Sequence, residues 1–204
     1  YIGEPFNEGP TARMTLRDMR IGLAFLERHF RFIDPVAERM TVDRILGIAS
    51  ALHEERPINA LVIDPWNEVH HERPRELRED EYISASLTKV RRWARRHSAH
   101  VFIVVHPTKL QKGADGKYPV PTPYDCSGGA QWRNKADYCI TVHRELGEFE
   151  SADVDVHVQK VRRREIGRLG CATLHYNKVT GQYEDPNARR MTYEERMERR
   201  RDLA

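Results

Sequence analysis

The residues with the clearest chemical potential stand at the ends of two short apolar runs. Leu61-Val62-Ile63 stops abruptly at Asp64-Pro65, and Val101-Phe102-Ile103-Val104-Val105 stops at His106. An apolar run of this length bounded by a turn signal reads as a strand buried in a parallel sheet. Such strands deliver the next residue to the carboxyl edge, where ligands of open α/β folds gather. A carboxylate at that edge can hold the water shell of a magnesium ion, since hard cations prefer a carboxylate and waters to an all-protein cage. An imidazole there can donate a charge-assisted hydrogen bond to an anionic group. The plainer alternative is a polar turn at Asp64-Pro65 and a strand-end histidine capped by backbone.

These residues need elements to position them. Thr15 and Asp18 form a capping-box pattern opening a helix in which Leu16, Met19, Leu23, Leu26 and Phe30 recur at helical spacing as a core stripe. Phe30 to Ile33 is expected to be a strand ending at the Asp34-Pro35 turn. Thr41 and Asp43 start a second helix with Val42, Ile45, Ala49 and Leu52 on one face, ending before Pro57. A third helix from about Glu79 to His97 turns Ile83, Leu87, Val90, Trp93 and Ala94 inward, and its Lys89, Arg91, Arg92, Arg95 and Arg96 form a solvated charged face. Strand, helix and strand then carry Asp64 and His106 to the same end of a βαβ unit.

The span from Pro107 to Gly129 has no apolar period but carries Lys109, Lys112 and Lys117 among Gly and Pro, so a long functional or mobile loop is expected. Ser127-Gly128-Gly129 leads into a short helix with Gln131, Arg133, Asn134 and Lys135. Strands are expected at Tyr138 to Val142, Val154 to Val161 and Cys171 to Tyr176, a hairpin turn at Thr180-Gly181, and a charged terminal helix from Thr192 to Glu195 onward. Tyr1 to Arg13 is an irregular lead-in.

With 204 residues, 39% of them hydrophobic and 32% charged, the chain suits one α/β domain and no apolar run approaches a membrane span. Residues 1–190 are expected to form the domain and 191–204 a charged tail. Tyr1 to Pro10 is too polar for a signal peptide, and the missing initial Met suggests a fragment. Cys126, Cys139 and Cys171 are odd in number and lack a CxxC spacing, which points to a reducing cytosol and a cytoplasmic protein. A net charge of +3 does not by itself announce a nucleic-acid partner.

The stretches at 61–68, 101–112, 127–137, 158–163 and 174–181, in that order and spacing, resemble the RecA-like motor domain of ring-shaped replicative DNA helicases. The resemblance is to the primase-helicase, Twinkle-like type within the DnaB superfamily, and it spans about two thirds of the chain. It implies an α/β fold in which a mostly parallel RecA-like sheet is flanked by helices and followed by a C-terminal antiparallel extension, incomplete at its N-terminal side. It also implies ATP or another NTP with Mg2+, a single-stranded DNA partner, and a homo-oligomeric ring, a hexamer in the common case.

Residue by residue, Asp64 matches the Walker B aspartate that serves magnesium, and His106 matches the sensor of the γ-phosphate. Lys160 and Arg162 match a Lys-x-Arg pair that reaches the neighbouring subunit's nucleotide, Arg162 acting as the finger. Arg163 competes for that role because the spacing to Tyr176 is slightly longer here. A basic strand end facing solvent is the alternative for this run. Arg144 and Tyr176 match the pair that sandwiches the base, although a strand tyrosine is often core. Arg133 falls near the phosphate or a DNA loop. Lys109, Lys112 and Lys117 are the expected contacts to DNA phosphates, binding without reading sequence; a solvated lysine loop is the alternative.

The chain also departs from that pattern. No GxxxxGK[ST] phosphate loop occurs in it, and neither Ser127-Gly128-Gly129 nor Gly113-Ala114-Asp115-Gly116-Lys117 has the required spacing. Glu68 lies close to Asp64, but the family's catalytic base comes from an earlier strand. The expectation is therefore the C-terminal portion of a helicase motor, inactive in hydrolysis on its own. A different class of protein also fits, a non-catalytic nucleic-acid-binding or ring-organising module. A third reading, a metal-dependent hydrolase using Asp64, His70, His71 and His106, lacks any HExxH-type ligand pattern.

Overall fold

A computed structural model describes residues 16–34, 39–145, 152–177 and 181–186. Helices α1 (Leu16–His29), α2 (Val42–Glu55), α3 (Glu79–Arg96) and α4 (Ala130–Lys135) are joined to strands β1 (Ala60–Ile63), β2 (His100–Ile103), β3 (Tyr138–His143), β4 (Asp153–Val161), β5 (Gly170–Asn177) and β6 (Gln182–Glu184). β1 and β2 pair in parallel, Ala60 opposite His100 and Ile63 opposite Ile103, across the crossover through α3. The other four strands form an antiparallel sheet in the order β3-β4-β5-β6. The fold is thus α/β, with a parallel pair and an antiparallel extension.

Helical periodicity explains the core. Thr41 caps α2, its side-chain oxygen accepting from Arg44 N at 3.2 Å, and Val42, Ile45, Leu46 and Ala49 recur on the buried face. Ile83, Leu87, Val90 and Trp93 do the same along α3 and close on Leu61 and Ile63 of β1. The polar atoms of Trp93 and Ser50 in this layer are paired, since an unpaired one costs free energy. The Trp93 indole N–H donates to Ser50 Oγ at 2.9 Å, and that hydroxyl donates to the Leu46 carbonyl at 2.9 Å.

Three expectations change. The apolar stripe of α1 is not core: none of the residues of this helix is buried, and Leu16, Leu23 and Leu26 are 70%, 51% and 39% exposed. Helical spacing shows that a face is apolar but not what covers it. The segment from Phe30 to Ile33 is not a strand; Phe32 is 80% exposed and no described strand lies beside it to complete its backbone hydrogen bonds. β1 and β2 are buried on one side only. Leu61 and Ile63 face the helices, whereas Val62 and Phe102 on the opposite face are 59% and 50% exposed, although parallel strands of this composition suit cover on both faces.

The span from Pro107 to Gly129 is also less irregular than expected. A turn closes at Gly113–Lys117, where Gly113 N–H donates to the Lys117 carbonyl at 2.9 Å, and Pro123–Asp125 forms a 3-10 turn. At the β5–β6 hairpin, Gly181 takes a positive φ of 68° and its N–H reaches the Asn177 carbonyl at 2.8 Å. Thr15, Thr180 and the helix expected from Thr192 lie outside the described residues.

Candidate nucleotide and DNA site

Asp64 and His106 follow neighbouring parallel strands and leave the sheet at the same edge. The ladder continues past the strands: Val104 N–H donates to the Ile63 carbonyl at 2.9 Å and Trp66 N–H to the Val104 carbonyl at 2.8 Å. His106 N–H then donates to the Asn67 side-chain oxygen at 3.2 Å, tying the two loops together. Both Asp64 and His106 are exposed. A carboxylate and an imidazole thus share one solvent-facing edge, with Asn67 between their loops.

The Asp64 loop is held from behind by aromatic packing. Trp66 is only 4% exposed and meets Trp132 edge to face at 5.3 Å between ring centroids. The Trp132 indole N–H donates to the Ser127 carbonyl at 2.6 Å. Gly128, at a φ of 80°, lies so close to α3 that a Cβ would come within 2.3 Å of Ile83 Cδ1. That approach and the positive φ account for a glycine at position 128, ahead of α4.

His71 completes this support. Its Nε2–H donates to the Trp66 carbonyl at 3.2 Å, which leaves Nδ1 to accept from the Tyr82 hydroxyl at 3.4 Å. Burial lowers its pKa, against the opposing pull of the Trp66 carbonyl. His70 instead faces Glu72 at 3.9 Å. Among the described residues, Asp64, His70, His71 and His106 bring no three ligand atoms close enough together to share one metal ion, which removes the geometric basis of the hydrolase reading.

The three lysines of the long loop have different surroundings. Lys109 is exposed, Lys112 lies over the Tyr118 ring at 5.3 Å, and Lys117 forms an ion pair with Glu145. The base of the loop is pinned, with Thr108 N–H and Oγ–H each donating to the Asp125 carbonyl at 2.7 Å. The Asp125 carboxylate in turn accepts from Thr122 N–H and Oγ–H, each at 2.7 Å. The Thr122 side-chain and backbone bonds hold its pKa below the ordinary carboxylate range.

A folded pKa below the unfolded one means that this tie contributes fully above the ordinary carboxylate pKa and is lost as pH falls through the lowered value. Limited proteolysis of the loop should therefore accelerate on acidification through that window. Thr122→Ala should bring the same acceleration at neutral pH.

At the end of β4 lies a cationic corner. Lys160 Nζ donates to the Arg133 carbonyl, and burial, followed by the nearby Arg162, lowers the lysine's pKa. Arg133 itself donates to the Gln159 carbonyl at 3.1 Å and lies over the Tyr124 ring at 5.8 Å. Arg162 turns back on its own chain: it pairs with Asp137 at 2.5 Å and donates to the carbonyls of Asn134, Lys135 and Ala136 at 3.1, 3.1 and 3.2 Å. Its guanidinium therefore caps the C-terminus of α4. Arg163 is exposed, and its side chain has no hydrogen bond or ion pair among the described residues.

The expected base-binding pair sits at the other end of β4. Tyr176 N–H donates to the Ala152 carbonyl at 2.7 Å, and Arg144 directly follows His143, which is opposite Asp155. Tyr176 is half-buried against Tyr183, with ring centroids 5.1 Å apart; Arg144 is exposed. Eight residues of extended strand separate Ala152 from Lys160, roughly 26 Å at the rise of a β-strand. The structure therefore brings Asp64 to His106 and Lys160 to Arg162 and Arg133, while Arg144 and Tyr176 stand apart from Lys160.

Several supporting residues gave no signal in the sequence. Asn67, Asp125 and Asp137 act through loop contacts that no periodicity marks, and Trp66 and Trp132 resemble ordinary core aromatics until their contact is seen.

No family model matches the chain. Among solved structures, an ATPase domain superimposes with a TM-score of 0.59 at 20% identity, over 72% of this chain and 51% of that one. A DnaB-like replicative helicase, solved for its interactions with primase, gives 0.57 at 18% identity, over 71% of this chain and 36% of that one. These likenesses establish the fold, and together with the sequence match that follows they support the resemblance to the RecA-like domains of DnaB-family helicases. Over 192 residues it is 39% identical to the Twinkle homolog protein, chloroplastic/mitochondrial, of Arabidopsis thaliana. That match takes in 91% of this chain but spans only 27% of the relative's length. The relative is organellar by name, so the cytosol inferred from the cysteines does not extend to it. No described helix is long and apolar enough to cross a membrane.

Proposed function

We propose that this chain forms the later part of the motor domain of a ring-forming replicative helicase, coupling NTP hydrolysis to movement along single-stranded DNA. The observation that carries the reading is the shared edge of Asp64 and His106 on two hydrogen-bonded parallel strands, in a chain similar to a Twinkle homolog. Asp64 offers an exposed carboxylate suited to the water shell of magnesium, and the ion would supply charge neutralisation at the phosphates. His106, backed by Asn67, offers a donor to a terminal phosphate, whose loss on hydrolysis the following loop would register. That loop carries Lys109, Lys112 and Lys117 toward DNA phosphates, Lys109 being the least engaged.

The separation along β4 supports action between subunits. A head-to-tail ring requires two different surfaces on each chain, and Arg144 with Tyr176 at one end, Lys160 with its arginines at the other, provide them. Asp137 and the carbonyls that end α4 occupy Arg162, so Arg163 is the better placed to reach a neighbour's nucleotide, with Arg162 holding the turn and Lys160 and Arg133 adding positive potential. The chain holds no phosphate-cradling loop; that group belongs to another part of the motor.

The test is phosphate release from NTP with and without single-stranded DNA. The chain alone stays at background, and the chain joined in frame to the P-loop half of a DnaB-type motor shows DNA-stimulated release. In that joined protein Arg163→Ala lowers turnover by about 10³-fold, the scale of an arginine finger, whereas Arg162→Ala acts chiefly on stability. Motor-like turnover by the chain alone overturns the reading. DNA binding without hydrolysis in the joined protein favours the non-catalytic ring-organising module.

A further inference from the structure

We propose that one face of the antiparallel sheet holds a divalent transition-metal ion such as zinc, ligated by Asp155, His157 and Cys171. Neither the helicase reading nor the nucleotide edge uses these residues. Asp153, Asp155 and His157 alternate along β4 and so share one face, and their direct partners on β5 are His175, Thr173 and Cys171. The outcome is a cross-strand patch of ligand-type side chains. One ligand atom from each of Asp155, His157 and Cys171 lies within 4.8 Å of the others.

The spacing and the donor types agree on the kind of ion. Cys171 Sγ and His157 Nε2 are 3.7 Å apart, and a tetrahedral ion with ordinary Zn–S and Zn–N bonds sets such atoms about 3.6 Å apart. Thiolate and imidazole together favour zinc or its neighbours over magnesium or calcium, which prefer oxygen. Cys171 is a free, exposed thiol, so its proton can leave to solvent as metal enters.

Support behind the ligands is also present. Thr173 Oγ–H donates to Asp155 Oδ1 at 2.6 Å and fixes that carboxylate's rotamer, the task of an outer-shell partner. Beyond the trio, His175 pairs with Asp153 at 2.8 Å, and His143 stands opposite Asp155 on β3. The register thus puts His143 on the same face as the three ligands, an imidazole beside Asp155 for a fourth position otherwise taken by water. Such an ion would clip β4 to β5.

Titration of the reduced chain with Co2+ tests the site, because cobalt bound to a thiolate gives a near-ultraviolet charge-transfer band and visible bands whose intensity reports coordination number. One Co2+ per chain with the thiolate band, displaced by Zn2+, is the expected result. Cys171→Ser abolishes the band, His157→Ala weakens binding, and Thr173→Val lowers affinity by about tenfold, as loss of an outer-shell partner does. Cys126→Ala leaves the band in place. Circular dichroism shows that the variants, all at β4–β5 surface positions apart from Cys126, keep the fold. Absence of the band in the folded chain, or its persistence in Cys171→Ser, overturns the assignment. Neither result depends on NTP hydrolysis.

Discussion

Replacing Asp64 by asparagine in the P-loop-joined motor lowers DNA-stimulated NTP hydrolysis on the order of 100-fold, the scale for losing a residue that holds a metal's outer shell. The change keeps shape and removes charge. Asp64 is exposed at a strand end, so the variant keeps its fold and the loss falls on chemistry. Raised magnesium restores part of the activity, since a weakened site can still be filled by mass action. His106→Ala behaves differently: basal turnover persists and stimulation by single-stranded DNA falls by about tenfold, the worth of one charge-assisted hydrogen bond. Steady-state phosphate release across a magnesium and DNA series separates the two. Equal, magnesium-independent losses in both variants would show that neither residue has its assigned part.

Trp66→Ala destabilises the chain by about 3–5 kcal/mol, the usual result of emptying a buried tryptophan site. Against a total stability of about 5–15 kcal/mol for a domain, that loss is severe. The indole is 4% exposed and contacts both Trp132 and His71, with ring centroids 5.3 and 5.0 Å apart. Three segments therefore lose a common contact: the loop after β1, helix α4 and the chain at His71. Trp132→Ala has a similar cost and in addition leaves the Ser127 carbonyl without its donor. Because the two rings touch, the double variant costs less than the sum of the singles. Urea unfolding followed by circular dichroism measures all three, and strict additivity would show that the ring pair is not a coupled unit.

The parts of the fold that the sequence made legible are those in which one short period decides. Val42, Ile45 and Ala49, and Ile83, Leu87, Val90 and Trp93, are buried as their helical spacing requires. β1 ends at Ile63, directly before Asp64, whereas β2 ends at Ile103, three residues before His106 and two short of the expected strand end. Periodicity failed where the partner of a face was the question: Leu16, Leu23 and Leu26 carry the same helical signature as core residues yet stand exposed. The same limit applies to Val62 and Phe102.

Side-chain direction was equally hidden. A Lys-x-Arg run on a strand does not reveal that Arg162 will turn back to cap α4 through three carbonyls while Arg163 stays exposed. Nor does the spacing of Asp155, His157 and Cys171, fourteen residues apart at the wider step, show that two strands set them side by side. Cross-strand register, which decides both cases, depends on pairing that no local window contains.

Iron-mediated backbone cleavage tests the nucleotide edge most directly. With Fe2+ substituted for Mg2+ in the joined motor, ascorbate and peroxide generate radicals that cut the chain nearest the ion. Cuts that require nucleotide and fall at both 63–68 and 104–108 are the expected pattern. Nucleotide-dependent cuts confined to other segments, with the Asp64 and His106 loops intact, would contradict it.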